Sequence, residues 1–495
     1  MTNDGPVFLK QAVTSTGGLR DRVIAEYHEL LTSDKTLGSS VFEQLHSAMR
    51  TNRLVYGDRP ISVALRPHFL ESFQFQVHTA GAELIAGALE KIAAAAVQSP
   101  ALMTQLGLTD AEQRLALVDP GFTRAAVTTR LDGFVHGEEI KFVEYNAENP
   151  SSLSDQEGLN RVLFELRAMS SLAQRYSLHQ FSPVATLLAS LLLTYREWNG
   201  KGVPNIAIVD WKDLPTSNEF ILLQNHFAAQ GVRTIICSPD ELEYDRGRLR
   251  CGGFEIDLVY KRIIIHEFLA QYDETHPLVR AYVNHDVCLV NPFRCKIMHK
   301  KTSFELLTDD ACEAWFTSQE RAAISRCVPW TRQMADRRTT YNRRSIELID
   351  FVRQNRSRLV LKPNDDYGGH GVYFGPQLDE RAWDNAITTA LSSDYVVQEV
   401  VDLFPEEFPI FNNVEWKLQQ MFVDTNPFLF SGKVCGAMVR LSNSPVVNVT
   451  SGGGEAGFFV IKGQAARSTR SGAATRRSLK RSSRKSSVMG IKSFL

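Results

Sequence analysis

The stretch Phe142-Val-Glu-Tyr-Asn-Ala-Glu-Asn-Pro150 reads as a strand running into a polar loop, and it places Glu144 and Asn146 two residues apart. Side chains at i and i+2 of a strand point to one face, so a carboxylate and a carboxamide oxygen can converge there on one hard cation. His136, Gly137 and Glu138 make a hairpin-like turn between TTRLDGFVHG and EIKFVEYNA, which brings Asp132 alongside on the neighbouring strand. Three oxygen ligands on adjacent strands outline a Mg2+ site, although exposed hairpin residues would give the same pattern. Arg130, on the face of Asp132, adds a cation that can neutralise phosphate or a developing oxyanion. An anion held between arginine and metal makes the best sense of such a set.

A second signal lies far downstream, in RLVLKPNDDYGGHGVYFG. An apolar strand ends on Lys362 and enters a turn containing Gly368, Gly369 and Gly371. A lysine there can meet phosphate oxygens, and glycines let backbone N–H groups approach them without a Cβ in the way. The Walker pattern GxxxxGK[ST] is absent, and glycine turns also join strands without any ligand. In YVVQEVV, from Tyr395 to Val401, Gln398 and Glu399 interrupt an apolar strand. Its backbone can meet an adenine edge while its valines sandwich the ring; a buried strand with a polar end reads the same way.

Length and composition set the frame. With 495 residues and 43% hydrophobic content, the chain can build two or three packed units. No basic segment followed by an apolar run opens it, and no stretch of about 18 uncharged apolar residues occurs, so neither secretion nor membrane spanning is expected. The seven cysteines form no CxxC pair and have no histidines at zinc-finger spacing, as expected of reduced thiols in a cytoplasmic protein. The net charge of −1 hides an asymmetry: nine Lys or Arg and no acid follow from Gln464 onward, leaving about −10 on the rest. That Ser- and Arg-rich tail has too few large apolar residues to fold and is expected to be disordered. A solvated tail is its first reading, contact with nucleic acid or another anionic surface the second.

The chain divides by pattern into a helical region over residues 1–118, the metal-binding strands over 119–200, a small β-α-β unit over 201–295, a nucleotide-binding region over 296–463, and the basic tail over 464–495. In the second unit Ser154 or Asp155 is placed to cap the helix that follows ENPSSLSDQEG. The third runs NIAIVDW, SNEFILLQNHFAAQGV and RTIICSP, an order that implies a right-handed crossover and a small parallel sheet. It lacks the GxGxxG dinucleotide fingerprint. In the fourth, helices are expected from Ser303 to Asp350, broken by VPWTRQ.

Together these segments resemble the ATP-grasp ligases in their circularly permuted form. VEYNAENP is similar to the metal-binding segment of glutathionylspermidine synthetases, and the order Arg130, Asp132, Glu144, Asn146 resembles that family's set in sequence and spacing. The E-x-N strand stands ahead of the lysines, as in the permuted branch. The resemblance implies an α/β, circularly permuted ATP-grasp fold with a helical N-terminal layer and a small parallel-sheet unit. It also implies that Lys362 and Lys301 are the nucleotide lysines, with Lys300 a neighbouring candidate, and that Gly368, Gly369 and Gly371 cover the phosphates. Gln398, Glu399 and Val400 would be the adenine hinge, Asp132, Glu144 and Asn146 would hold Mg2+, and Arg130 would face an acyl phosphate. The activity so implied is ATP-dependent ligation of a small carboxylate to an amine, releasing ADP and phosphate. A small-molecule kinase and a non-catalytic nucleotide-binding scaffold are the alternatives. The family's cysteine amidase domain has no counterpart, since the N-terminal region contains no cysteine. The loop YGGHGV departs from that of the synthetases, which leaves glutathione and spermidine unassigned. Arg440 and SNSPVVNVTSGGGEAG stand in second rank as contacts for a carboxylate or phosphate.

Overall fold

A computed structural model describes residues 18–33, 39–366, 368–411, 416–444 and 454–464. The tail beyond Gln464, Tyr367 of the glycine turn and residues 445–453 lie outside the described residues.

The hairpin is formed by Thr128–His136 and Glu139–Asn146, with Gly137 at a φ of 59° in its turn. Arg130 pairs with Asn146 and Asp132 with Glu144 on one face, while Leu131 pairs with Tyr145 on the other and both are buried. Phe142 shares the parity of Glu144 and Asn146, yet it lies in the apolar core. The register shift between Asp132 and Gly133 explains this, because Val143 is an extra residue and the bulge turns the strand over. Gly133 makes room for it: a Cβ there would stand 2.6 Å from the Phe142 ring. The core face of the hairpin joins the helix Ser72–Val97, whose Ala82, Ile85, Leu89, Ile92 and Ala96 recur at three- and four-residue spacing.

The hairpin belongs to a sheet completed by the far end of the chain. Thr128–His136 pairs antiparallel with Trp416–Phe430, which pairs in turn with Lys433–Ser442 and Glu406–Phe411. Arg130 thereby lies opposite Phe428, and Asp424 opposite Arg440. A second sheet holds Thr331–Gln333, Tyr395–Glu399, Leu359–Pro363 and Tyr373–Phe374, all antiparallel. A third is wholly parallel, in the order Cys288–Val290, Leu258–Lys261, Ile206–Val209, Thr234–Cys237, with the helix Ser217–Ala229 in the crossover.

Several sequence expectations change. The N-terminal region contains, besides its helices, the strand His68–Glu71, which pairs in parallel with Phe458–Gln464; four residues carry no period, and the partner is remote. Within Ser303 to Asp350 an antiparallel hairpin, Arg338–Tyr341 with Arg344–Glu347, replaces helix because Asn342 and Arg343 adopt φ of 49° and 61° in a two-residue turn. The helix Leu153–Phe164 has Ser154 and Asp155 in its first turn rather than at its cap. Its Leu153 N–H instead donates to Glu219 Oε1 at 2.7 Å. All seven cysteines are free, and among the described residues no helix is long and apolar enough to cross a membrane.

Asn291, directly after the parallel strand Cys288–Val290, ties that sheet to the hairpin. Its Oδ1 accepts from the N–H groups of Val127 and Thr128 at 2.8 and 2.9 Å, and its Nδ2 donates to the Thr128 and Ala147 carbonyls at 2.6 and 2.8 Å. Each such bond contributes about 1 kcal/mol net, and stripping both partners leaves buried backbone groups unsatisfied. Asn291→Leu is therefore expected to destabilise the protein by roughly 4 kcal/mol, read as a lower denaturant midpoint; an unchanged midpoint would refute this role.

Candidate active site

One cavity of about 500 Å3 is lined by Arg130, Asp132, Glu144, Asn146, Lys301, Lys362, Gly368, Gly369, Gln398, Glu399 and Val400. The bulged hairpin supplies the first four, and the second sheet the lysine strand and the Gln398 strand. Asp132 is gripped from two sides. Its Oδ1 accepts from Arg130 Nε at 2.7 Å, and its Oδ2 accepts from Arg130 Nη2 at 3.1 Å and Arg440 Nη2 at 2.8 Å. Arg440 also donates through Nε to Asp424 Oδ2 at 2.8 Å. Burial alone would raise the Asp132 carboxyl, but the guanidinium of Arg130 and then that of Arg440 outweigh it and lower it to about 2.

Lys362 Nζ donates to Gln398 Oε1 at 2.8 Å, and Gln398 Nε2 donates to Thr331 Oγ1 at 3.0 Å. Burial lowers the Lys362 ammonium to about 8; Glu144 opposes the fall and Lys301 adds to it. Lys301 Nζ stands 3.2 Å from Glu144 Oε1 and donates to the Asp366 carbonyl at 2.7 Å. Of the two neighbouring lysines, Lys301 faces the cavity. Lys300 turns away, donating to Asp365 Oδ2 at 2.7 Å and lying 3.2 Å from Glu112.

Two local details bear on the nucleotide side. Gly371 is not among the cavity-lining residues; at a φ of 65°, a Cβ there would lie 2.8 Å from both Pro363 and the Tyr395 hydroxyl, so the position leaves no room for a side chain. In the hinge segment the N–H groups of Glu399 and Val400 donate to the Trp330 and Arg358 carbonyls, both at 2.9 Å. Glu399 Oε1 accepts from the Tyr341 hydroxyl at 2.7 Å. Backbone bonds to neighbouring segments therefore already occupy these two donors.

Glu148, His299 and Asp365 are grouped closely enough to hold a metal ion. Lys296 takes that place instead, fully buried, with Nζ donating to Glu148 Oε1 at 2.7 Å and Asp365 Oδ1 at 2.6 Å. Burial opposes its charge, but Glu148 and then Asp365 outweigh it and raise its affinity for the proton. Since Asp365 precedes the glycine turn, this network anchors the turn's base to the hairpin's exit.

No protein-family model matches the chain, and no curated protein matches it in sequence. Among solved structures, a glutathione synthetase-like effector from Globodera pallida, in its apo form, superimposes with a TM-score of 0.54 at 15% identity, covering 86% of this chain and 96% of its own. The chain therefore shares the fold of that glutathione synthetase-like effector. At that identity the likeness is one of fold. A candidate gamma-glutamylcysteine synthetase from Methylobacillus flagellatus KT matches at a TM-score of 0.38 and 10% identity over 65% of this chain and 76% of its own, too distant to bear on it.

The cavity wall also holds Asp155, the helix-cap candidate, Glu455, from the second-rank segment SNSPVVNVTSGGGEAG, and Asp210, Arg262, Glu219 and Asp424, of which the last two were not singled out by the sequence. Glu219 has the pattern of an ordinary acid in a helix's first turn. The available signal was position alone, since Asp210 and Arg262 both follow parallel strands at their carboxyl ends.

The Lys296 network generates a test. Removing its charge leaves Glu148 and Asp365 buried without their shared cation, an imbalance that costs about 3–5 kcal/mol when one partner of a buried pair is deleted. Lys296→Met is expected to lose stability on that scale in urea unfolding; a loss below about 1 kcal/mol would show the pair to be water-screened.

Proposed function

We propose that the protein is an ATP-dependent ligase that joins a carboxylate to an amine through an acyl phosphate. The observation that supports this best is the convergence, in one cavity, of Lys301 and Lys362 with the oxygen pair Glu144 and Asn146 and the guanidinium of Arg130. Strands from distant parts of the chain have no packing reason to turn so many charged and amide groups inward unless a highly charged ligand enters. The glutathione synthetase-like fold adds to this reading.

Mg2+ suits the donor set. Glu144 and Asn146 share one face, and the Asn146 Nδ2 is buried without a hydrogen-bond partner, so turning the carboxamide over to present its oxygen sacrifices no donor bond. Asp132 is committed to two arginines and would offer a metal only its remaining lone pairs. Such an ion would supply charge neutralisation for the phosphoryl group being transferred. Lys362 and Lys301 hold the nucleotide phosphates, with Gly368 and Gly369 leaving room for their oxygens. The substrate carboxylate attacks the γ-phosphorus and expels ADP; the amine then attacks the acyl carbon and expels phosphate. Arg130, held in orientation by Asp132, meets the oxyanion that develops at the acyl carbon. No covalent enzyme nucleophile is required. The circularly permuted branch is the reading favoured by the order of the strands, with the hairpin ahead of both lysines in sequence.

ATP with Mg2+ is expected to raise the unfolding temperature, with a gain of about 2.7 kcal/mol at one hundred times the dissociation constant. Glu144→Ala should abolish the Mg2+-dependent part. Phosphate release should require a matched carboxylate and amine together; transfer of labelled phosphate to a stable acceptor would instead identify a kinase, and no response to ATP at all a scaffold.

The Lys362 ammonium predicts a pH limb. Its folded-state value, about 8, lies below the 10.5 of a free lysine, so the folded protein gives up this proton first as pH rises. The phosphate-attracting charge is half lost at a pH of about 8 and falls away above it. Nucleotide affinity should fall by up to about tenfold per pH unit above 8 until the bound-state value is reached. Lys362→Met should bind weakly and show no such limb in titrations between pH 7 and 10.

A further inference from the structure

The ammonium of Lys362 is held by a line of side chains that begins outside the cavity, at Thr331. The strand Thr331–Gln333 sets Thr331 directly opposite Gln398, and the strand Leu359–Pro363 pairs Val360 with Gln398 and Lys362 with Val396. Residues two apart on a strand share a face, so Thr331, Gln398 and Lys362 project from one side of the sheet, and Lys362 stands on the diagonal that a long side chain can span. The hydrogen bonds follow that line. Thr331 Oγ1 donates to the Pro329 carbonyl at 3.0 Å and accepts from Gln398 Nε2 at 3.0 Å, and Gln398 Oε1 accepts from Lys362 Nζ at 2.8 Å. Thr331 and Gln398 are both buried; Gln398 and Lys362 are among the cavity-lining residues, and Thr331 is not.

Each end of this line fixes the carboxamide in one orientation. A hydroxyl has a single proton, and Thr331 gives it to Pro329, so toward Gln398 it can only accept and must meet the amide nitrogen. The Lys362 ammonium has no lone pair and must meet the amide oxygen. Both demands select the same orientation, and turning the amide over would break both bonds. A carboxylate in that place would also bond the lysine, but it would oppose the charge that draws phosphate oxygens; a neutral carboxamide aims the ammonium and leaves its charge for the ligand. Of the three N–H groups of Lys362, one is directed at Gln398 and another toward the Val143 carbonyl at the longer distance of 3.5 Å, which leaves the third for a phosphate oxygen.

We propose that Thr331 is a positioning residue for the nucleotide: acting through the carboxamide of Gln398, its hydroxyl sets the direction in which Lys362 presents its ammonium to the phosphates. This rests on the ligase reading and deepens its nucleotide site. Without the hydroxyl, the carboxamide loses the acceptor that fixes its nitrogen end, Lys362 gains rotamers, and the ligand must order them on binding, at the expense of affinity.

The test measures the affinity of the full chain for ATP with Mg2+ by calorimetry, once the unfolding transition of each variant has shown it to be folded. Thr331→Val, close in shape but without the hydroxyl, is expected to weaken ATP about tenfold, the effect of one misdirected charge-assisted hydrogen bond, and Thr331→Ser is expected to recover most of that loss. The cycle with Lys362→Met separates positioning from general damage. If Thr331 acts through Lys362, adding Thr331→Val to Lys362→Met weakens ATP no further. Equal fold-losses in the two backgrounds, wild-type affinity in Thr331→Val, or no recovery in Thr331→Ser would each overturn the role. Should Thr331→Val fail to fold, Gln398→Met, which removes the same link from its other side, goes through the same cycle with the same two outcomes. ATP binding that is indifferent to Thr331 defeats this role alone, whereas no ATP binding by the wild type defeats the ligase reading and the role with it.

Discussion

The bond set made by Asn291 holds the architecture of the site in place. One carboxamide, fully buried, joins the carboxyl end of a parallel sheet to the entry of one hairpin strand and the exit of the other. Both ends of the hairpin are thereby fixed, and its one-residue bulge decides which side chains look inward. Past the bulge, Leu131 and Tyr145 enter the core while Arg130, Asp132, Glu144 and Asn146 turn to the cavity. A one-residue change of register would exchange those faces, putting four polar groups into an apolar core.

The charges of the site are arranged by the same constraint that makes them costly. Arg130, Asp132, Arg440 and Asp424 alternate in sign across strands from both ends of the chain, so each buried ion has an opposite neighbour. The lysine network around Glu148 and Asp365 repeats the device at the base of the glycine turn. Where alternation fails, at Asp155 and Glu455, burial instead raises the carboxyls toward their neutral forms.

Much of the site was legible in local pattern. Glu144 and Asn146 share a face because strand geometry has period two, and the short turn at Gly137 and Glu138 was enough to bring Asp132 beside them. The parallel sheet followed from alternating apolar strands and an amphipathic helix. Signals failed where a partner lay far away in sequence. The strand His68–Glu71 exists because Phe458–Gln464 pairs with it, and the helix at Leu153 is capped by a glutamate from another helix. Gly371, given to the phosphates by the resemblance, packs so closely on Pro363 and Tyr395 that no side chain fits there, a contact no local pattern announces.

The sequence by itself determined the hairpin, its paired carboxylate and carboxamide, the lysine ahead of a glycine turn, and the free state of scattered cysteines, since each depends on neighbours within a few residues. Only the tertiary structure decided that Lys301 rather than Lys300 reaches the cavity, and that Asp132 is shared by two arginines. It also decided that Lys296 fills the place a metal could take, and that Glu219 comes to lie beside Arg262. These are facts about which charges come to lie together after the chain closes on itself. Coulomb interactions and desolvation act through space, and no spacing along the chain encodes which distant strands will bring their side chains together.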